Sequence, residues 1–200
     1  MSPTSTISSQ VEIIREVDAI EQQIAALKLK AAEARRRIEP TPVKDYPLAY
    51  AGTGVRVMLS ELFGEKTDLI VIHNMGRKCA YCTLWADGFS GVYRHLANRC
   101  AFVLATPDEP IIAAAFAGAR HWTFPVVSLA GSQFGRDMGF QRDNGSVTPG
   151  ASAYTKSPDG KILRTGAAAE FGPGDNFCPI WHFLDLLKDG PNGWEPKYHY

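Results

Sequence analysis

Two cysteines three residues apart, set where an apolar β-run gives way to a helical pattern, constrain this chain more than any other feature. Leu69-Ile-Val-Ile72 is a short β-branched run of the kind a strand buried on both faces needs. Gly76, Arg77 and Lys78 break it, Cys79-Ala-Tyr-Cys82 follows, and Leu84, Trp85, Phe89, Val92, Tyr93 and Leu96 then recur at helical spacing. The sequence therefore predicts strand, tight turn and helix, with both sulfurs in the helix's first turn. Free N–H groups at a helix start favour thiolate over thiol, and Arg77 and Lys78 push the same way. Spacing of three puts the sulfurs on one helix face, near enough to form a disulfide with little backbone movement. Cys79, at the turn, is expected to be the attacking sulfur, and Cys82, one turn deeper, the resolving one.

Composition bounds what that pair can serve. With 200 residues, 45% of them hydrophobic, the chain can bury a real core as one domain plus an extension. Lys+Arg and Asp+Glu balance at 21 each, which leaves no bulk field to recruit nucleic acid or an anionic membrane. The Ser/Thr-rich start has neither a cationic n-region nor an apolar h-region, and no run approaches a membrane span. A bacterial type of cytoplasm is the expected compartment. Four cysteines there read as catalytic or metal-binding rather than as a disulfide framework.

The chain is expected to divide at residue 39 into a start (1–39) and a core domain (40–200). Residues 1–9 read as disordered, and about Gln10 to Ile38 as one long helix closed by Pro40 and Pro42. Two interleaved heptad series, Ile13, Ile20, Leu27, Ala34 and Val17, Ile24, Ala31, Ile38, describe a coiled-coil seam. Its flanks are acidic early (Glu16, Glu21) and basic late (Lys28, Lys30, Arg35, Arg37), so like charges meet in a parallel pair and opposite charges in an antiparallel one. An antiparallel homodimer and a helix folded back on its own domain both satisfy this pattern.

In the core domain, Leu48–Tyr50 and Val55–Met58 read as a hairpin, and Ser60 as the cap of a turn at Glu61–Phe63. After the cysteine helix come a strand at Ala101–Thr106, a helix at Glu109–Ala119 and a strand at Pro125–Leu129. A glycine-rich loop over Gly131–Gly145 includes a helical turn at Phe134–Met138. A second hairpin pairs Ala151–Thr155 with Lys161–Arg164 around Ser157-Pro-Asp-Gly160, and Pro179–Leu187 is the closing helix. This predicts an α/β fold, a central mixed sheet flanked by helices, with a long N-terminal helical extension.

The order strand, C-x-x-C helix, strand, helix, then a proline ahead of a β-hairpin and a last helix resembles the thioredoxin fold. Leu69-Ile-Val-Ile-His73-Asn-Met, Cys79-Ala-Tyr-Cys82, Leu84-Trp-Ala-Asp87-Gly-Phe89 and Trp122-Thr-Phe-Pro125 resemble the bacterial thioredoxin-like proteins of domain-of-unknown-function family 899. The likeness spans about residues 40–190 and implies a thioredoxin-like domain of the branch that also holds peroxiredoxins. It implies no substrate. The fold's cis-proline facing the cysteines matches Pro149 in position; the sequence leaves its isomer open, and if it is cis its neighbouring backbone would offer a strand edge to a bound peptide or thiol substrate. His73, six residues before Cys79, stands at the offset where thioredoxins carry a buried proton carrier; a core histidine satisfied by its neighbours is the plain alternative.

Three further readings attach to these residues. Cys178, four residues before His182, could join Cys79 and Cys82 with that histidine in a tetrahedral zinc site, act as an extra resolving thiol, or simply be buried. Asp87 lies in an apolar helix, where a carboxylate is costly unless paired or solvated. Peroxide reduction is secondary, because Gly76 stands three residues before Cys79, where peroxiredoxins place a threonine. The sequence thus predicts a C-x-x-C thiol–disulfide oxidoreductase without cofactor, served by a disulfide substrate and a separate reductant. A non-enzymatic zinc-binding or redox-sensing scaffold is the alternative.

Overall fold

The structure, a computed structural model, describes the backbone of residues 3–200 and side chains from residue 9 onward. The expectation of disorder for residues 1 and 2 lies outside that range. From Pro3 the backbone is already helical, and α1 runs over Pro3–Arg36. By contacts the chain forms two units, Met1–Glu39 and Pro40–Tyr200. The apolar seam of α1, Ile13, Val17, Ile20, Ile24 and Leu27, is exposed.

The second unit holds eight strands: β1 (Thr41–Val43), β2 (Pro47–Tyr50), β3 (Arg56–Met58), β4 (Asp68–His73), β5 (Ala101–Thr106), β6 (Val126–Ser128), β7 (Gly150–Lys156) and β8 (Ile162–Glu170). Between them lie α2 (Ala80–Arg99), α3 (Pro110–Ala119) and α4 (Phe134–Asp137), and α5 (Ile180–Leu184) follows β8. The strands make one mixed sheet in the order β1-β8-β7-β4-β5-β6-β2-β3. Strands β4, β5 and β6 are parallel, joined by α2 and α3 as crossovers, and β7 runs antiparallel beside β4. The fold is the expected α/β one.

Alternation along the central strands separates two cores. Leu69, Val71, Val103 and Ala105 face one way with Phe134, Phe140 and Tyr154, whereas Ile72, Phe102 and Leu104 face α2 with Cys82, Trp85 and Phe89. Because both faces are covered, β4 and β5 read as continuous apolar runs in the sequence.

Several boundaries differ from expectation. Strand β1, carrying Pro42, pairs with β8 at the sheet's edge, where a missing N–H does no harm. Strand β8 extends to Glu170 through Gly166, and the β7–β8 register shifts between Ala151 and Ala153. The closing helix is shorter, Ile180–Leu184. Ser60 does not cap the turn at Glu61–Phe63: its backbone is itself helical, and its hydroxyl donates to Asp45 Oδ2 at 2.7 Å. Among the described residues no helix is long and apolar enough to cross a membrane.

Candidate active site

Strand β4 ends at His73, and the next five residues turn the chain into α2 under tight local control. The Gly76 N–H donates to the buried side-chain oxygen of Asn74 at 2.6 Å, and the Arg77 N–H donates to Asp108 Oδ2 at 2.7 Å. Gly76 has φ +93°, and a Cβ there would lie 3.2 Å from both carboxylate oxygens of Asp108. The positive φ favours glycine at this point, and a Cβ would push on the Asp108 carboxylate. Asp108 sits just past the end of β5, parallel to β4, so the loop is anchored at the carboxyl ends of the parallel strands.

Cys79 is the N-cap of α2. Its backbone is extended (φ −102°, ψ 106°), and its Sγ accepts the Cys82 N–H at 3.0 Å, the place an Asp or Ser oxygen takes in an ordinary cap. A negatively charged sulfur is stabilised there by the amide and by the helix's positive end. A hydrogen bond from the Cys82 thiol is the main cause that brings the Cys79 thiol down to about 7, with the backbone N–H groups of Cys82 and Tyr81 adding to it against partial burial. Cys82 moves the opposite way: giving its proton to that bond, and being buried, holds it in the thiol form. Cys79 is half-buried and Cys82 is 3% exposed, and both are free. One sulfur is thus accessible and acidic while its neighbour is protonated and shielded on the same helical turn.

Asp87, one turn deeper, is paired. The Arg120 guanidinium grips both of its oxygens, and the Trp122 indole N–H donates to Oδ1 at 2.8 Å. Arg120 also donates to the Tyr198 carbonyl at 2.8 Å. Tyr198 comes back to the cysteines: its hydroxyl is shut off from solvent without a partner, and its acidity is reduced by burial and by the nearby charge of Cys79. Arg77 and Lys78 are exposed and take part in no ion pair among the described residues.

For three groups the sequence left alternatives open. His73 does not serve the sulfurs. It belongs to the Leu69–Val71 face, away from α2, sandwiched between Phe134 and Phe140, with the Phe140 ring centroid 3.5 Å from its own. Its Nε2 pairs with Ser152 Oγ at 2.7 Å, and burial lowers its pKa to about 3, so it is neutral and carries no proton near neutral pH. Pro149 is not cis, since no cis peptide bond occurs among the described residues. Its carbonyl accepts the Phe171 N–H, and the Thr148 N–H goes to the Phe140 carbonyl, so these atoms are spent within the fold. Third, the side chains of the zinc reading do not come together. No three His, Cys, Asp or Glu side chains among the described residues gather as a metal site. Cys178 is buried with the α2 aromatics, its N–H bonded to Asp175 and its thiol pushed up by burial, and His182 is exposed.

Sequence reasoning missed Asn74, Asp108, Arg120 and Tyr198. Asn74 had a signal, an Asx residue two before a glycine. The other three reach the site across 31 to 78 residues of chain, which no local spacing reveals.

Solved peroxiredoxin structures share this fold. AhpC of Enterococcus faecalis is 17% identical, covering 68% of this chain and 82% of that one, with a TM-score of 0.53. Reduced Prx3 of Vibrio vulnificus, in complex with H2O2, is 14% identical over 69% of this chain and 90% of its own, with a TM-score of 0.52. The peroxidoxin BcpB of Mycobacterium tuberculosis is 20% identical over 64% and 84%, with a TM-score of 0.51. No curated protein sequence matches the chain. The profile of the family described as bacterial protein of unknown function (DUF899) matches residues 8–199, nearly the whole chain, and this thioredoxin-fold protein belongs to that family.

Proposed function

We propose that this protein is a dithiol–disulfide oxidoreductase in which Cys79 attacks and Cys82 resolves. The observation that carries this reading is the Cys79 sulfur in the N-cap of α2, half-buried and acidic, with the protonated Cys82 on the same turn. The Cys79 thiolate attacks one sulfur of a substrate disulfide, forming a mixed disulfide and expelling the other half as a thiolate. Once Cys79 is bonded, its negative charge is gone and no longer holds the proton on Cys82. Cys82 gives that proton to the departing thiolate and attacks Cys79 Sγ, forming the Cys79–Cys82 disulfide and releasing the second half. The substrate gains two electrons, and an external dithiol reductant of a reducing, cytoplasm-like compartment returns them.

A second reading, peroxide reduction, is favoured by the fold's likeness to peroxiredoxins. Cys79 thiolate would attack a peroxide oxygen, becoming a sulfenic acid and releasing the alcohol or water, and Cys82 would condense with it and expel water. Gly76 stands where a hydroxyl would be wanted, so this reading takes second place.

The test is a mass measurement after mild oxidation, paired with turnover of a disulfide and of a peroxide under a thiol reductant. Loss of two hydrogens mapped to Cys79 and Cys82, with disulfide turnover that Cys79→Ser abolishes, is expected. Cys82→Ser should trap the mixed disulfide, and alkylation of Cys79 should be half-maximal near pH 7. A disulfide without turnover of either substrate would make the pair a redox-sensing scaffold instead. The exposed seam of α1 and its charge order support antiparallel pairing with a second copy. Light scattering should then give a dimer for the full chain and a folded monomer for the chain without residues 1–39.

A further inference from the structure

At the turn into α2 opens a cavity of about 700 Å³, lined by Arg77, Lys78, Phe116, Arg120, Tyr198 and His199 among others. Its size is that of small-molecule sites, which run to roughly 300–1,000 Å³. Three of its walls carry a fixed positive charge, and the three are not equivalent. The charge on Arg120 is already answered by Asp87, so this side chain is structural. Arg77 and Lys78 face no such partner: the nearby Asp108 carboxylate takes the Arg77 backbone N–H and the Thr106 hydroxyl, and neither cationic side chain is in an ion pair. The Phe116 ring is the flat part of the lining. Lys78 precedes Cys79 in the chain, and the charge of Cys79 is felt at Tyr198, another lining residue, so the cavity lies close to the accessible sulfur.

We propose that this cavity binds the anionic half of the substrate, and that the substrate of the dithiol is a carboxylate-bearing low-molecular-weight disulfide. This rests on the oxidoreductase reading above. A carboxylate set against Arg77 and Lys78 leaves its sulfur within reach of Cys79. The half-molecule expelled by Cys79 is a thiolate, and the same two cations lower the energy of that second negative charge as it develops. A cationic disulfide meets repulsion at the same place.

The proposal is tested on the full-length reduced protein in two ways. Alkylation of Cys79 by iodoacetate and by iodoacetamide reads the same thiolate with an anionic and a neutral reagent, so any change in thiol acidity cancels in the ratio of rates. The ratio should exceed that of a free peptide of residues 74–86 by about tenfold at low salt. It should fall back towards the peptide's value with added salt and in Arg77→Ala/Lys78→Ala. A folded-protein ratio equal to the peptide's would overturn the proposal, because the cavity would then add nothing to the flanking charges. Turnover of three disulfides of similar size should rank dithiodiglycolate above hydroxyethyl disulfide and that above cystamine, with the ranking compressed in the double variant. Equal turnover of all three would also overturn it. If none of the three is turned over while the iodoacetate preference stands, the oxidoreductase reading is what fails and the anion site remains.

Discussion

The two faces of β4 carry the two groups a sequence reader would single out, His73 and the Cys79–Cys82 pair, and treat them in opposite ways. On the Leu69–Val71 face, the imidazole is 1% exposed, stacked between two phenylalanine rings and hydrogen-bonded only to Ser152, which in turn bonds Tyr154. Burial there suppresses charge. On the α2 face the sulfur sits at the rim, half-open, fed by amides and flanked by free cations, so that charge is favoured. The same strand thus supports a closed aromatic core on one side and a reactive helix start on the other. The lesson is that titratable groups a few residues apart need share neither environment nor task.

The largest expected effect concerns the closed face. His73 is held near 3 in the folded protein against 6.5 when unfolded, so the unfolded chain binds the extra proton between those values. A folded pKa that is lowered gives stability that is complete above pH 6.5 and is lost progressively as pH falls towards 3. At about 1.4 kcal/mol per unit, this is on the order of 5 kcal/mol. Urea unfolding from pH 7 to pH 4 should therefore show a steeper loss for the wild type than for His73→Leu. Disulfide turnover at pH 7 should survive in the variant as long as it is folded. Equal slopes, or a dead but folded variant, would break the contrast between the faces.

The fold was legible because the features that fix it are local. Apolar runs mark β4 and β5, the C-x-x-C junction marks the start of α2, and glycine-bounded segments mark the β7–β8 hairpin. The face of His73 was half-legible: Leu69, Val71 and His73 alternate, so they had to point together. What the run could not say was which face α2 covers, since a strand buried on both sides shows no polar alternation. Asp108 and Arg120 stayed hidden for a different reason. Their contacts form only when distant strands and helices are brought together, and neither lies in a motif of its own. The isomer of Pro149 stayed open because a proline's place in the chain does not fix it.

Gly150 sharpens the comparison from the rigid side. It pairs with His73 across β4–β7, and a Cβ there would stand 2.4 Å from the Ala169 carbonyl oxygen and 2.7 Å from the Phe140 ring. One obstacle is backbone and the other is the ring that covers the imidazole, so neither can yield cheaply. Gly150→Ala should cost about 3 kcal/mol in chemical denaturation. On the α2 face, Asp87→Asn removes one charge of a partly buried pair and leaves Arg120 facing a neutral amide. A cost of about 2 kcal/mol is expected, together with a looser Tyr198 and a changed quenching of Trp122 fluorescence.

The smallest effect on stability is expected where the site is most sensitive in function. A methyl group on Gly76 would meet only the Asp108 carboxylate, at 3.2 Å, and a side-chain end can rotate away where a backbone carbonyl cannot. The strain of φ +93° remains, so Gly76→Ala should cost only about 1 kcal/mol in denaturation. Moving Asp108, however, releases the Arg77 N–H that it holds, and with it the turn that sets Cys79 as the cap of α2. Alkylation of Cys79 in this variant should therefore lose its midpoint near pH 7 and shift towards the ordinary thiol range, while Gly150→Ala, at its greater cost in stability, should leave that midpoint in place as long as the protein is folded. If Gly76→Ala keeps the acidic thiol, the loop is a spacer and the cap forms from α2 alone; if Gly150→Ala also moves the midpoint, the two faces of β4 are coupled after all.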